Sequence, residues 1–330
     1  MKPKRGRPRG LKVFLALGIL AVVALGLFVL QARDQLSTET ERKSTSAEPS
    51  CPRWLSFVST RSGRKQIYAL DITHPSEVQK ITRLTGQVFD PTWSPDGRRL
   101  AFRWFQPRDD AVGVYVADAD GSNVNLLVEG GVTPNWSPDG RLIAHAGPKG
   151  ISLVDVVRAL NGDASASRAL TRSDPTTPQE YPDWSSDGSQ LLFAGYRRAE
   201  GGTSVGSYDI WIINADGTGL RDLTPYSSLE YGATWSPDGD QIVFGSLRGS
   251  SPDQGEDLFV IDTDGTDLRR LTTSGGNGAP AWSPDGRWIA FVSSREGNPD
   301  VYIMQPDGTG LRRLTTDPRG DYSPAWLGEC

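Results

Sequence analysis

Hydrophobic residues after residue 50 come in short runs separated by turn-forming residues. One example is the run Trp288-Ile289-Ala290-Phe291, which comes directly after a Pro-Asp-Gly-Arg turn sequence. Glycine (37 residues) and proline (23 residues) are plentiful, whereas the periodicity of amphipathic helices is hard to find. The pattern therefore predicts an all-β domain of short strands joined by tight turns.

The pattern around this run repeats along the chain. The sequence Trp-Ser-Pro-Asp-Gly, a Trp-Ser-Ser-Asp-Gly variant or a bare Ala-Trp marks six tryptophans: Trp93, Trp136, Trp184, Trp235, Trp282 and Trp326. These tryptophans are spaced by 43, 48, 51, 47 and 44 residues. A period in the forties is typical of propellers, in which each copy forms a four-stranded blade that cannot bury both of its faces alone.

Each copy divides into four predicted strands. The first strand ends at the Trp and turns through Ser-Pro-Asp-Gly, where Pro presets φ and Gly accepts a positive φ, into the second strand. A third strand, such as Asp300 to Met304, leads through a turn such as Asp307-Gly308 to an outer strand, which usually closes with Leu-Thr. The turn chemistry thus accounts for the most regular part of the repeat.

An aromatic residue recurs nine residues after the Trp and is predicted to pack between blades. It is present in four copies: Phe102, Phe193, Phe244 and Phe291. His145 holds the same position in the second copy. We therefore predict that His145 is packed in the core and is not a ligand.

The two ends of the repeat region complement each other. Trp54 to Phe57, Gln66 to Leu70 and Ile81 to Thr85 match the last three strands of a copy, and Tyr322 to Leu327 matches the missing first strand. We therefore predict a six-bladed β-propeller over residues 51–330, whose sixth blade combines three N-terminal strands with one C-terminal strand. Such closure leaves no sheet edge open.

The only two cysteines fall at this seam. Aligned with the intact copies, Cys51 and Cys330 hold the positions of Asp285 and Gly286, where other blades turn. We predict a disulfide that replaces the missing turn, since conditions outside the cytoplasm permit one. The alternative is two unrelated cysteines.

Residues 13–31 are predicted to be a transmembrane anchor or a signal peptide. Val13 to Leu30 is an unbroken run of 18 apolar residues and glycines, which as a helix spans roughly 27 Å, close to a bilayer core. Residues 1–12 are then a cytoplasmic basic segment, and the rest of the chain lies outside. Cleavage as a signal peptide would instead give a secreted protein. Residues 32–50 are polar and without periodicity, which predicts a flexible linker.

Charge is divided unevenly between this segment and the rest. The first 32 residues contain no acid and six basic residues: Lys2, Lys4, Arg5, Arg7, Arg9 and Lys12. With a total net charge of −5, the remainder carries about −11, which repels phosphate backbones and argues against nucleic acid as a partner. Lys4 to Arg9 resembles an AT-hook, but a basic segment beside an apolar run is better explained by membrane topology.

Candidate ligand-binding residues lie where the inner strands enter the central channel. The loops between second and third strands and between blades share one face of the predicted disc and are the variable parts of the copies, where function usually lies. Acidic residues beside aromatic residues recur at this mouth: Asp90, Glu180, Tyr181, Glu230, Tyr231, Asp321 and Tyr322. Carboxylates and aromatic faces suit a cationic or amphipathic ligand. The alternative is that these are ordinary solvated loop residues.

Motifs for catalysis or metal binding are weak. Residues 202–206 match the G-x-S-x-G pattern of serine hydrolases, but no helix pattern follows and neither His74 nor His145 is expected nearby. Asp118 to Glu129 resembles a calcium loop but has Asn123 where that loop requires Gly. We predict no catalytic residue, no metal site and no cofactor.

The repeats, from Trp-Ser-Pro-Asp-Gly through Leu-Thr, resemble those of the TolB-type β-propeller family over about residues 51–330. The resemblance implies a six-bladed propeller outside the cytoplasm that binds proteins or peptides at its channel mouth. The chain departs from the family's namesake in having a predicted anchor and no preceding α/β domain, so we do not expect a role in the Tol-Pal system. Similar repeats occur in prolyl oligopeptidase relatives and oligogalacturonate lyase, but their hydrolase domain and metal-binding histidines have no counterpart here.

The sequence thus predicts a membrane-tethered, monomeric propeller that binds a protein or peptide through its loop-rich face. The alternative is a carbohydrate-active or peptide-cleaving enzyme with carboxylates at the channel mouth. In that case Glu180 and Glu230 could serve as general acid and base, provided that the structure brings them together.

Overall fold

The computed structural model describes residues 53–107, 111–173, 177–197, 206–225, 228–249 and 255–327. The predicted N-terminal segments, Cys51 and Cys330 lie outside these residues. Among the described ranges, no helix has both the length and the apolar character needed to cross a membrane.

Short strands dominate the described chain. The first twelve are β1 (Trp54–Ser59), β2 (Gln66–Asp71), β3 (His74–Lys80), β4 (Gln87–Trp93), β5 (Arg99–Gln106), β6 (Ala111–Asp118), β7 (Asn125–Glu129), β8 (Val132–Trp136), β9 (Leu142–Gly147), β10 (Gly150–Asp155), β11 (Ser167–Ala169) and β12 (Gln179–Trp184). The next twelve are β13 (Gln190–Arg197), β14 (Ser207–Asn214), β15 (Arg221–Asp222), β16 (Glu230–Trp235), β17 (Gln241–Ser246), β18 (Asp257–Asp262), β19 (Arg269–Arg270), β20 (Asn277–Trp282), β21 (Ile289–Ser293), β22 (Asp300–Met304), β23 (Arg312–Arg313) and β24 (Asp321–Trp326).

These strands form six four-stranded antiparallel sheets, which confirms the predicted six-bladed, all-β propeller. Blades 1 to 5 each consist of four consecutive strands, beginning with β4, β8, β12, β16 and β20. In blade 6 the order is β24-β1-β2-β3, so the last strand of the described chain pairs with the first. The inner strand of every blade therefore lies at the centre of the ring.

One helix interrupts the pattern. The α1 helix (Val156–Leu160) lies between β10 and β11 in blade 2, where the repeat predicts only a turn. Asp155 caps it by accepting a hydrogen bond from the Arg158 backbone N–H at 3.0 Å, and Val156 is buried against blade 1 residues such as Val116. A local cap at Asp155 and the apolar contacts of Val156 and Ala159 therefore stabilise this single extra turn.

The recurring aromatic position forms the core between blades, as predicted. Five phenylalanines are fully buried there: Phe57, Phe102, Phe193, Phe244 and Phe291. In four blades this Phe stacks on an aromatic ring of the third strand, as Phe291 does on Tyr302 with ring centroids 5.9 Å apart. His145 occupies the equivalent core position in blade 2, and burial lowers its pKa, which keeps the ring neutral.

Side-chain hydrogen bonds explain the two most regular motifs. In the Trp-Ser-Pro-Asp-Gly turn, the Ser283 hydroxyl donates to Asp285 at 2.6 Å and accepts from the Trp288 backbone N–H at 2.9 Å. In the Leu-Thr motif, the Thr315 hydroxyl accepts from the Val301 backbone N–H at 2.9 Å. Equivalent bonds recur in blades 1 to 4 for the Ser turn and in blades 2, 3, 4 and 6 for the Leu-Thr motif, so both motifs are structural.

Replacing Ser283 by alanine should lower the free energy of unfolding by about 1–3 kcal/mol, because it leaves the Trp288 N–H without its acceptor. Urea unfolding followed by tryptophan fluorescence measures this loss. Ser76→Ala, on the exposed side of β3, is the matched control and should change stability by less than about 0.5 kcal/mol. Equal effects of the two variants would show that the turn hydroxyl does not stabilise the blade.

Candidate functional site

The six inner strands surround a central cavity with a volume of about 740 Å³. Each inner strand carries a β-bulge at the same place, three residues before its Trp. There the backbone is left-handed, with φ between 46° and 59°, at Asp90, Thr133, Tyr181, Gly232, Ala279 and Ser323. A bulge unpairs one residue and re-aims its side chain, so all six bulge residues line the cavity.

Proline follows the bulge in five of the six blades: Pro91, Pro134, Pro182, Pro280 and Pro324. Proline cannot donate a ladder hydrogen bond and fits where pairing is interrupted. The left-handed conformation of a non-glycine residue costs on the order of 1 kcal/mol and tends to persist at functional sites. The repeated bulge therefore sets the shape of the channel.

Four of the seven predicted ligand-binding residues line this cavity: Asp90, Glu180, Tyr181 and Tyr231. Asp90 lies in the middle of β4 in blade 1, whereas Glu180, Tyr181 and Tyr231 lie near the beginnings of β12 and β16 in blades 3 and 4. These ends of the inner strands lie on the face that carries the loops between second and third strands. The cavity mouth is therefore on the loop-rich face.

Glu230 and Asp321 do not face the cavity. Both carboxylates are fully buried, and each pairs with an arginine that follows the second strand of its own blade. The Arg248 guanidinium lies 2.8 Å from Glu230, and that of Arg61 lies 2.9 Å from Asp321. These ion pairs hold the first residue of an inner strand in place, which assigns Glu230 and Asp321 a structural role.

A one-residue offset explains why the predicted set divides in this way. Glu230 and Asp321 stand five residues before their tryptophans, whereas Glu180 stands four residues before Trp184. A shift of one residue turns a strand side chain to the opposite face. The acid-aromatic pair in Glu180-Tyr181 is therefore not structurally equivalent to the pair in Glu230-Tyr231.

The mouth has an acidic and aromatic side, to which residues outside the predicted set also contribute. Glu256, which was not predicted, lines the cavity just before β18, and burial raises the pKa of its carboxyl. The Tyr208 ring, also not predicted, lies 4.9 Å from the Tyr231 ring. Burial, with the nearby Asp90 and Glu180 carboxylates, raises the pKa of Tyr181 to about 12, so its phenol stays neutral.

The opposite side of the mouth is basic. The Lys65 ammonium lies 4.5 Å from the centre of the Phe89 ring and 5.0 Å from that of Tyr322. The Arg103 guanidinium covers Phe89 at 4.4 Å and pairs with Asp90 at 3.0 Å. Tyr322 is therefore already covered by a cation of this protein and does not offer its ring freely to a ligand.

Three residues at the mouth that were not predicted share one position in the repeat. Lys65, Tyr208 and Glu256 directly precede Gln66, Asp209 and Asp257, which are equivalent residues at or near the start of the third strands. Their position relative to the third strand, used together with the position relative to the Trp, would have predicted that all three lie at the mouth.

Asp183 links three blades deeper in the channel. Its carboxylate accepts hydrogen bonds from the Asn135 amide at 2.9 Å, the Thr234 hydroxyl at 3.0 Å and the Trp235 backbone N–H at 3.0 Å. Burial outweighs these bonds and raises the pKa of Asp183 to about 6. The folded protein therefore holds a proton here that the unfolded chain releases near pH 4.

Asp183 should make stability fall as pH rises. The stabilising contribution of protonated Asp183 is complete below about pH 4 and is lost as pH rises through about 6. Between about pH 4 and pH 7, the free energy of unfolding of the wild type should therefore fall by on the order of 2 kcal/mol more than that of Asp183→Asn. Urea unfolding of both proteins across this range tests the expectation. Parallel stability curves would contradict the assigned pKa shift.

A smaller cavity of about 310 Å³ adjoins the mouth between blades 2 and 3. Glu180 belongs to the lining of both cavities. The smaller cavity is otherwise lined mainly by apolar and glycine residues: Gly130, Val132, Ala146, Gly147, Pro148, Ser173, Pro178 and Gln179. We call this cavity the side pocket.

Residues 202–205 of the G-x-S-x-G match lie outside the described residues. His74 is exposed beside Asp71, and His145 is buried between blades. Across the ranges that the structure describes, no group of three or more His, Cys, Asp or Glu residues is arranged to hold a metal ion.

Comparison with known proteins places the propeller in a family. A family model described as TolB beta propeller domain matches residues 105–277 and 250–329. The chain belongs to the TolB beta propeller domain family. The family match covers β6 and β7 of blade 1, all strands of blades 2 to 5, and the inner strand β24 of blade 6.

Individual relatives of this family match less of the chain. The Tol-Pal system protein TolB of Francisella tularensis subsp. mediasiatica is 33% identical over 126 residues, which are 38% of this chain and 27% of that protein. The chain therefore spans only about a quarter of the length of this curated TolB relative.

Solved structures share the fold. TolB from Acinetobacter baumannii has a TM-score of 0.67 at 20% identity, covering 84% of this chain and 67% of that one. Oligogalacturonate lyase from Vibrio parahaemolyticus has a TM-score of 0.53 at 14% identity, covering 81% of this chain and 73% of that one. At these identities the likeness concerns the fold alone.

Proposed function

We propose that this protein is a binding module that captures a protein or peptide at the mouth of its central channel. The observation that carries the proposal is the cavity of about 740 Å³, whose mouth presents Glu180, Tyr181, Tyr231 and Glu256 on the loop-rich face. A concave site with a few converging polar and aromatic groups is the usual form of a binding site.

Family membership supports this proposal. The Francisella tularensis relative is named a Tol-Pal system protein, which is a statement about that protein. Because this chain matches only part of that protein's length, the transfer of partner binding to this chain is our proposal. The buried ion pair of Glu230 separates it from the channel, so Glu180 and Glu230 do not form the acid–base pair that the enzyme alternative named.

We further propose that residues 13–31 anchor the propeller at the outer side of the cell membrane, with residues 1–12 inside and residues 32–50 as a linker. The apolar run of 18 residues and the basic segment before it support this topology. The full-length protein should stay in the membrane pellet after alkaline carbonate extraction and keep its N-terminus by mass spectrometry. Release together with loss of the N-terminal segment would show a signal peptide instead.

Crosslinking in intact cells, followed by purification of the tagged full-length protein from membranes, tests partner binding. We expect one stoichiometric partner with the wild type and at least about tenfold less with Tyr181→Ala/Tyr231→Ala, since truncated central aromatics weaken interfaces strongly. Leu220→Ala, an exposed residue in the turn before the outer strand β15, is the matched control and should recover as much as the wild type. Turnover of glycans or peptides without any recovered partner would favour the enzyme alternative.

A further inference from the structure

We propose that the channel mouth takes a basic side chain of its partner, and that the side pocket takes an apolar side chain next to it in the partner's sequence. The inference rests on the proposed function and adds the chemistry of the bound segment. It assigns Glu180 and Glu256 as the residues that hold the cation.

The first argument is that these two carboxylates have no counterion among the described residues. The other carboxylates at this end of the inner strands are each paired with an arginine: Asp90, Glu230 and Asp321. Glu180 and Glu256 line the cavity without an ion pair or a side-chain hydrogen bond to any described residue. A carboxylate that is partly desolvated and unpaired gains most from an incoming cation.

The second argument is the aromatic surface beside these carboxylates. Tyr181 is 39% exposed, and the rings of Tyr196, Tyr208 and Tyr231 form a chain with centroids 5.4 Å and 4.9 Å apart. The Glu180 carboxylate acts electrostatically on Tyr181, Tyr208 and Tyr231, which places it among these rings. Ammonium and guanidinium groups bind tyrosine faces as well as carboxylates, so both features favour a lysine or arginine.

The third argument is the contrast with the opposite side of the mouth. There the cations of Lys65 and Arg103 already cover the ring of Phe89. With Asp90 paired to Arg103, this side keeps the net positive charge of Lys65, which repels a basic residue of a partner and favours its binding at the other side. The uneven charge of the mouth thus orients the bound segment and also increases its affinity.

The side pocket defines the neighbouring residue of the partner. Because Glu180 lines both cavities, a side chain next to the bound cation reaches the side pocket. Its volume of about 310 Å³ and its lining by Val132, Ala146, Pro148 and Pro178 suit leucine, isoleucine or valine. A lysine or arginine followed or preceded by such a residue is therefore the predicted recognition element.

Selection of random heptapeptides on phage against the full-length protein tests the inference. The variant Glu180→Gln/Glu256→Gln removes both charges with little change in shape. The matched control Glu77→Gln/Glu129→Gln makes the same charge change on the exposed outer strands β3 and β7. We expect the wild type and the control to enrich peptides with a basic residue beside an aliphatic one, and the mouth variant to bind the selected peptides about tenfold more weakly.

Each other outcome has a defined meaning. Enriched peptides that lack a basic residue, or that bind the mouth variant as tightly as the wild type, would overturn the inference and leave the binding function standing. Enrichment of no peptide by any of the three proteins would count against the proposed function itself. If spermidine displaced a selected peptide at the same concentration, the site would recognise positive charge alone. This result would contradict a role for the side pocket.

Discussion

Replacement of either Cys51 or Cys330 by serine is expected to lower the free energy of unfolding by several kilocalories per mole. A disulfide between them would close almost the whole propeller into one loop. The chain-entropy model assigns such a bridge on the order of 5 kcal/mol, which real proteins often do not reach in full. We therefore expect a loss of about 2–5 kcal/mol in protein produced under oxidising conditions.

The described strands give this prediction its geometry, although both cysteines lie outside the described residues. Leu55 lies opposite Trp326 in blade 6, and the Leu327 backbone N–H donates to the Trp54 carbonyl at 3.0 Å. The prediction assumes that the register of Leu55 with Trp326 would continue outward, which would pair position 51 with position 330. Directly opposed residues of antiparallel strands have Cα atoms about 4.5–5.5 Å apart, which a disulfide can bridge.

Thiol alkylation of the unfolded, non-reduced protein, read by mass spectrometry, shows whether the bridge exists. Urea unfolding of the wild type with and without reductant, and of both serine variants, then measures its contribution. We expect reductant to destabilise the wild type and to leave the variants unchanged. Two alkylated cysteines in the non-reduced wild type would refute the bridge.

Arg61→Met is expected to be the second strongly destabilising change, with a loss of about 3–5 kcal/mol. The Arg61 guanidinium lies 3.1 Å and 2.9 Å from the two oxygens of the fully buried Asp321 carboxylate. It also covers the rings of Phe57 and Tyr68, each at 5.0 Å. Without it, Asp321 would be a buried charge with no counterion, at the point where the first and last strands of the propeller meet.

Two further variants separate this mechanism from a general loss of charge. Lys65→Met removes a cation from the same face without leaving a fully buried carboxylate unpaired, and should cost about 1 kcal/mol. Arg61→Met/Asp321→Leu replaces both partners and should recover most of the stability, as buried ion pairs often exchange for apolar residues without loss. The ion-pair explanation fails if Arg61→Met costs no more than Lys65→Met in urea unfolding.

The fold could be predicted because it depends on local and repeated signals. The spacing of the tryptophans indicated the number of blades, and the turn chemistry at residues such as Ser283 indicated where strands end. The buried position of His145 followed from the phenylalanines that hold the same place in other copies. The α1 helix could not be found in this way, because it depends on a local cap at Asp155 that the other copies do not share.

The candidate site was harder to predict because its residues depend on register. Glu180 and Glu230 look alike in the sequence, yet one residue of offset directs Glu180 into the cavity and Glu230 towards Arg248. Glu256 directly precedes the third strand β18, so it is not part of the repeated pattern of the inner strands. In the sequence, the only sign of the bulge that directs Tyr181 into the channel is a proline two residues before the Trp. This proline can be interpreted as the sign of a bulge only once the structure is known.

Site-specific photocrosslinking in intact cells tests the central claim, that the channel mouth is the binding surface, most directly. The crosslinking residue is placed at Tyr181 in the mouth or at Leu311, which is 46% exposed in the turn between β22 and β23 on the opposite face. We predict one adduct of defined mass from position 181 that is lost in the Glu180→Gln/Glu256→Gln background, and none from position 311. Equal adducts from both positions, or an adduct from position 311 alone, would contradict the claim.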